Sequence, residues 1–343
     1  MSSIRAQSAV GRDGSAAAYV LGLDIGGTKL AAGVVDGAGQ VQSFALASTP
    51  ADEGPERGLE RLFALGRTAV AESGRDWSEI RAVGIGCGGP LDAARGVLIA
   101  PPHLPGWRDV PLTALTERAF GVPAALENDA TAAAAGEHLY GAGAGARNMV
   151  YLTISTGVGG GIVVDGKLYR GASGNGGELG HVTVDCNGRD CRGCGRSGCL
   201  EAYVSGTSIA ERAHEALAGA GEPSSLAGLG SALTAGDVAA AAKAGDPLGR
   251  SVWDETVDTL ACGLTSIVNV FEPELVVLGG GVVSGTGEQL LGPVRERVRG
   301  DAMQPAGESV EILQSALGEH VGVVGAATIV HERALSGAVP AHG

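Results

Sequence analysis

The chain has 343 residues, 44% of them apolar and only 3% aromatic, with a formal charge of −14. That is enough for two ordinary domains whose cores are built from Ala, Val and Leu rather than rings. The acidic balance and the lack of any basic block exclude nucleic acid as a partner, since such binding neutralises phosphates with a basic patch. No uninterrupted apolar run reaches the ~18 residues of a membrane span, and the first residues lack the apolar core of a secretion signal, so the expected location is the cytoplasm, with thiols kept reduced.

Residues 1–18 are small, polar and aperiodic and read as a disordered leader. Structure is expected to begin with YVLGLDIGGTKLAAGVVDGAGQVQSFAL, an apolar run broken at Gly26 and Gly27, resumed at Leu30, turned at Asp36 and Gly37 and resumed again, which is the grammar of three strands joined by tight turns. RGLERLFALGRTAVAESG has helical spacing, IRAVGIGCGG reads as a buried strand entering a glycine turn, and PAALEN precedes an alanine-rich helix starting near Asp129 or Ala130. The opening grammar then recurs in MVYLTISTGVGGGIVVDGKLYRG. Leu23 matches Leu152 and Val34 matches Val163 at one offset of 129 residues, which points to duplication of a domain-sized unit.

The stretch ELGHVTVDCNGRDCRGCGRSGCLE holds four of the six cysteines. His181 with Cys191, Cys194 and Cys199 makes a sufficient set for a tetrahedral structural zinc, with Cys186 as an alternative to one of the three thiols. Gly193, Gly195 and Gly198 let the chain fold back tightly enough for the ligands to converge. Such a clip would also deliver Glu178 and Glu201 to one place, where paired acids suit a polyhydroxy ligand, although exposed glutamates are ordinarily just solvated. Beyond it, SGTSIAERAHEALAG reads as a helix, residues 221–233 as loop, TAGDVAAAAKAGDPLGRSVWDETVDTLACGLTSIVNVF as two helices, PELVVLGGG as a buried strand and VGVVGAATIVHERAL as a final helix.

Three glycine turns end or join apolar strands: Gly26 and Gly27 with Thr28, Thr156 and Gly157, and Gly279, Gly280 and Gly281. Backbone free of side chains lets amide N–H groups approach anionic oxygens, and the threonines add hydroxyl donors, but a hairpin needs glycine regardless of any ligand. No Walker A string occurs. GIGCGG at 84–89 matches a dinucleotide fingerprint but is followed by Pro90 and no helix, which fails that motif's context. Asp129, at a strand-to-helix junction, is either an acid-base group or a helix cap. Asp24 could hold a metal-bound water near phosphates or merely brace the turn.

Taken in order, these motifs resemble the ROK family of repressors and sugar kinases, its bacterial glucokinases above all, over residues 19–330. LDIGGTK at Leu23 to Lys29, LENDA, TISTGVGGGI, GELGH, the cysteine knuckle ending in CLE, and PELVVLGGG all fall in register. The resemblance implies an α/β, actin-like ATPase fold of two ribonuclease-H-like lobes with a ligand cleft between them. The first lobe would be 19–130 completed by a helix at 320–336, and the second 131–319 with a knuckle at 181–199. It implies an ATP-dependent hexose kinase acting on glucose, the first step of glycolysis, with Asp129 as general base. Asn128, Glu178, His181 and Glu201, with the Gly89 backbone, would hold the sugar. Asp24 would place Mg²⁺, and Gly26, Gly27, Thr28, Lys29, Thr156, Gly157 and Gly279 to Gly281 would cradle ATP. His181 would serve zinc with one ring nitrogen and sugar with the other. A homodimer or homotetramer is implied. N-acetylmannosamine, N-acetylglucosamine or fructose as substrate, or a non-catalytic sugar-responsive regulator, are the alternatives; a repressor would need a helix-turn-helix ahead of the first strand, for which about 20 residues are too few.

The chain departs from the family pattern in three places. The knuckle has one extra residue between Cys191 and Cys194, the early sugar loop reads Gly88-Gly89 instead of Pro-Gly, and His103 stands where Asn usually precedes LPGW.

Overall fold

The structure, a computed structural model, describes residues 19–219 and 224–335, so the expected leader at 1–18 lies outside the described residues. The first half runs β1 (Tyr19–Ile25), β2 (Lys29–Val35), β3 (Val41–Ser48), α1 (Gly54–Glu72), β4 (Ile80–Cys87), a ribbon of β5 (Leu91–Asp92) and β6 (Val97–Leu98), α2 (Leu112–Phe120), β7 (Ala124–Asn128) and α3 (Asp129–Tyr140). Its sheet has the order β3-β2-β1-β4-β7, antiparallel through the two hairpins and parallel from β1 to β4 to β7.

The second half repeats this plan with β8 (Met149–Ile154), β9 (Val158–Val164) and β10 (Lys167–Tyr169). After the knuckle come α4 (Glu201–Val204), α5 (Gly206–Gly219), α6 (Ala235–Ala244), α7 (Pro247–Phe271), β11 (Leu275–Gly279), α8 (Gly281–Thr286), α9 (Glu288–Asp301), α10 (Ala306–Ser309), β12 (Glu311–Gln314) and α11 (Val321–Leu335). The order β10-β9-β8-β11-β12 carries the same sequence of directions as the first sheet. β9 occupies the span of β2 moved by the predicted 129 residues, and the offset is lost from β10 onward, a short strand that begins earlier than β3 moved by that offset, after which the knuckle and α4 to α7 intervene. The two similar lobes of an actin-like fold are therefore present, each with its own apolar core.

The lobes exchange their closing helices. α3 leaves the first sheet and packs under β8 and β9, while α11 leaves the second sheet and packs on β1 and β4. Residues 130–137 of α3 are buried throughout, which explains why its sequence is small and apolar on every face rather than amphipathic. Small residues also set how closely these layers approach. A Cβ on Gly22 would overlap the Val323 carbonyl and one on Gly84 the Ala326 carbonyl, so α11 lies directly against the strand backbones. The two helices cross where a Cβ on Gly136 would come 3.0 Å from the Gly325 Cα.

Candidate active site

Parallel pairing brings three chain segments to one sheet edge. Ile25 is in register with Cys87 and Cys87 with Asn128, so the Gly26–Gly27 turn, the Gly88–Gly89 loop and the start of α3 emerge side by side. The first turn is braced: the Gly26 N–H donates to the Lys29 carbonyl at 3.0 Å, and the Thr49 hydroxyl donates to the Gly26 carbonyl at 2.7 Å. Thr28 and Lys29 are left exposed at its tip.

The helix cap at this edge is Asn128, whose Oδ1 accepts from the Thr131 N–H at 3.0 Å. Asp129 is thereby released from the capping role. One of its oxygens accepts the Ala130 N–H at 2.8 Å, and burial raises its pKa while His103 opposes the rise. Asp24 reaches the same spot from β1. A Cβ on Gly86 would lie 3.6 Å from both the Asp129 Cα and the Asp24 Oδ1, so only a glycine separates the two acids. Burial and, after it, the charge of Asp129 lift the Asp24 carboxyl to about 7. His103 is held below its ordinary pKa by burial.

The second lobe supplies the facing wall. Cys191, Cys194, Cys199 and His181 gather their ligand atoms within 4.8 Å of one another, and Cys186 is not among them. The His181 Nδ1 lies 3.7 Å from the Cys191 Sγ, and the Cys194 and Cys199 sulfurs are 3.5 Å apart. Tetrahedral zinc with bonds of about 2.0 to 2.3 Å needs ligand separations of about 3.3 to 3.8 Å, so the cluster fits the ion. Burial pushes the Cys191 thiol up to about 12, which a bound cation would reverse. With Nδ1 turned to the sulfurs, Nε2 is the imidazole nitrogen left for another partner.

Glu201 joins this knuckle to the second glycine turn. Its Oε2 accepts the Val158 N–H at 2.8 Å and its Oε1 meets the Cys191 Sγ at 3.4 Å. Partial removal from water raises Glu178, opposed by His181 and helped by the charges of Asp129 and Glu201, so these four predicted groups share one electrostatic neighbourhood. Gly89 belongs to it too, its Cβ position lying 3.8 Å from the Asn128 Nδ2 and 3.6 Å from the Asn175 Oδ1.

A cavity of about 470 Å³ opens beside the second turn, lined by Ser155, Thr156, Thr207, Leu233, Thr234, Gly281, Val282 and Thr286 among others, with no charged side chain among the described residues. The Thr207 hydroxyl donates to the Thr156 carbonyl at 2.9 Å, which fixes the start of α5 to the turn. Of the third glycine run, only Gly281 lines the cavity. Gly279 is packed against Tyr151, its Cβ position 2.7 Å from the phenol oxygen, and a Cβ on Gly280 would overlap Ile154, so these two glycines answer to packing.

Several participants escape sequence reasoning. Buried Glu127 is paired with Arg170 of the second lobe at 2.6 Å, and the Asn175 Oδ1 accepts the Leu91 N–H at 3.3 Å, so two side chains tie the lobes together beside the cleft. Asn175 had one faint signal, a lone amide inside the glycine run GASGNGGE.

The chain is 37% identical to a glucokinase of Thermotoga maritima over 321 residues, covering 92% of this chain and 98% of that protein. A ROK family glucokinase from Streptomyces griseus, solved with glucose and AMPPNP, superposes with a TM-score of 0.78 at 35% identity, covering 92% of this chain and 99% of that one. A xylose repressor of Bacillus spizizenii is 32% identical over 253 residues, which cover 74% of this chain and 62% of the repressor. The family model described as ROK matches residues 20–333, and the chain belongs to the ROK family.

Proposed function

We propose that the protein is an ATP-dependent hexose kinase that converts glucose and ATP to glucose 6-phosphate and ADP. The observation that carries this reading is the position of Asp129: an uncapped, desolvated carboxylate between a braced glycine turn and the group formed by Asn128, Glu178 and His181. A base in that place takes the proton of the sugar hydroxyl as the hydroxyl oxygen bonds to the γ-phosphorus, and the bridging oxygen leaves with ADP.

In this account Asn128, Glu178, His181 and Glu201, with the Gly89 backbone, orient the hexose so that its primary hydroxyl meets Asp129. Gly26, Gly27, Thr28 and Lys29 on one lobe and Thr156 and Gly157 on the other receive the phosphates, and the uncharged cavity bounded by Gly281 takes the adenosine. Asp24, whose carboxyl is raised beside Asp129, is suited to a cation, and Mg²⁺ placed there would neutralise phosphate charge. Zinc held by His181, Cys191, Cys194 and Cys199 would be structural and would fix the imidazole that Nε2 presents to the sugar. A homo-oligomer working in the cytoplasm completes the reading.

The test is a coupled ADP-release assay with ATP and Mg²⁺ across glucose, mannose, fructose, N-acetylmannosamine and N-acetylglucosamine. Glucose is expected to give the highest kcat/KM. A higher value for an N-acetylated sugar would move the substrate assignment, and no hexose-dependent ADP release at all would leave a sugar-responsive regulator.

A further inference from the structure

His103 and Gly88, the two positions at which the sugar-side loops depart from the ROK pattern, touch each other. A Cβ on Gly88 would overlap the His103 Cε1 and lie 3.1 Å from its Nε2 and 3.2 Å from its Nδ1. Any side chain at 88 therefore needs the space that the imidazole fills. The other side of His103 rests on the first glycine turn, where a Cβ on Gly27 would come 3.0 Å from the His103 Cβ and 3.3 Å from its carbonyl oxygen.

The loop that carries His103 is anchored. Leu104 is 1% exposed and Trp107 2% exposed, and the Leu104 and Trp107 N–H groups donate to the Pro101 and Leu104 carbonyls at 3.1 Å. The ring is half-buried, yet neither nitrogen has a hydrogen-bond partner among the described residues. A half-buried imidazole held in place with its nitrogens still open to solvent can donate to a ligand at this edge. It lies against the turn assigned to phosphates and interacts electrostatically with the Asp129 carboxylate.

We propose that His103 is a catalytic residue that donates a hydrogen bond to the phosphoryl group in transit from ATP to the hexose, and that side-chain-free Gly88 is what admits it. This rests on the kinase reading above, so the test has two arms. The first needs no activity: Gly88→Ala lowers the melting temperature, and His103→Ala in the same chain restores most of the loss. An undiminished melting temperature for Gly88→Ala, or an equal loss with His103 absent, overturns the pairing.

The second arm is kinetic. His103→Ala is expected to lower kcat by roughly 10- to 100-fold with the KM for hexose changed by less than about twofold. His103→Gln, which keeps an N–H donor at similar reach, is expected to recover part of kcat. Unchanged kcat in His103→Ala, an effect confined to KM, or equal kcat in the Ala and Gln variants would overturn the phosphoryl contact. A wild-type protein that releases no ADP would instead refute the kinase reading, leaving the melting-temperature cycle to judge the pairing alone.

Discussion

Asp24 and Asp129 stand on either side of Gly86, and the charge of Asp129 adds to the burial that lifts the Asp24 carboxyl to about 7. A carboxyl whose folded pKa lies above its unfolded value of 3.8 binds a proton more tightly in the folded protein. Its contribution is present in full below the unfolded pKa and is lost as pH rises through the folded one. Ligand-free wild-type protein should therefore lose melting temperature between about pH 4 and about pH 8 more steeply than Asp24→Asn does. Parallel profiles for the two proteins would show that Asp24 is not strained by its neighbour.

The packing of α11 on the first sheet gives a second expectation. Gly84→Ala places a methyl group on the Ala326 backbone, which no rotamer change relieves. A loss of about 2 kcal/mol or more is expected in urea unfolding. Gly37→Ala, at a position with open space around the Cβ, is the control and should change little. Equal stabilities would mean that α11 sits further from the strands.

The knuckle can be tested at its exposed ligand. Because Cys194 is exposed, Cys194→Ala removes a thiolate with little loss of packing. Bound zinc measured by atomic absorption should fall, the melting temperature should drop, and the KM for glucose should rise by about tenfold as His181 loses its anchor. Chelation of the wild-type protein should do the same. Metal-free protein with unchanged melting temperature and KM would separate the cluster from sugar binding.

The Glu127 and Arg170 pair predicts a coupled loss of stability and turnover. Glu127 is 1% exposed in its side chain and Arg170 36%, so Arg170→Met strands a buried carboxylate next to Asn128 and Asp129. The expected cost is about 2 kcal/mol, less than for a fully buried pair because the guanidinium is partly in water. Restoring neutrality with Glu127→Gln should recover part of it. No change in unfolding midpoint would contradict the role of this pair between the lobes.

Much of this arrangement is legible from residues alone. The duplicated strand grammar at a 129-residue offset corresponds to β1 with β2 and β8 with β9, because hairpins are encoded locally by glycine and Asp-Gly turns. VGVVGAATIVHERAL is α11 to the residue, and SGTSIAERAHEALAG contains α5, ahead of which the Ser205 hydroxyl oxygen accepts the Ser208 N–H. α9 is not among the expected elements: its segment EQLLGPVRERVRGD carries Pro293 inside the helix, which obscures the helical spacing of the Leu290, Leu291, Val294 and Val298 that it buries. β12 and α2 are likewise short pieces fixed by tertiary partners rather than by periodicity.

At the site, local pattern left Asp129 between cap and base, and the distinction lies one residue earlier. Asn128 takes the Thr131 N–H, so the helix start is satisfied without the aspartate. Contacts between lobes, such as Arg170 to Glu127 and Asn175 to Leu91, join residues 43 and 84 positions apart and leave no trace in spacing. The match of Gly88 to His103 is legible only once both loops are seen at one sheet edge.

The central claim is that the carboxylate of Asp129 removes the proton from the sugar hydroxyl, and Asp129→Asn tests it most directly because the amide keeps the shape and discards the base. Coupled ADP release measured beside calorimetric glucose binding should show turnover reduced by about 10³-fold or more with affinity within a few-fold of wild type. Turnover close to that of wild type in this variant would contradict the account.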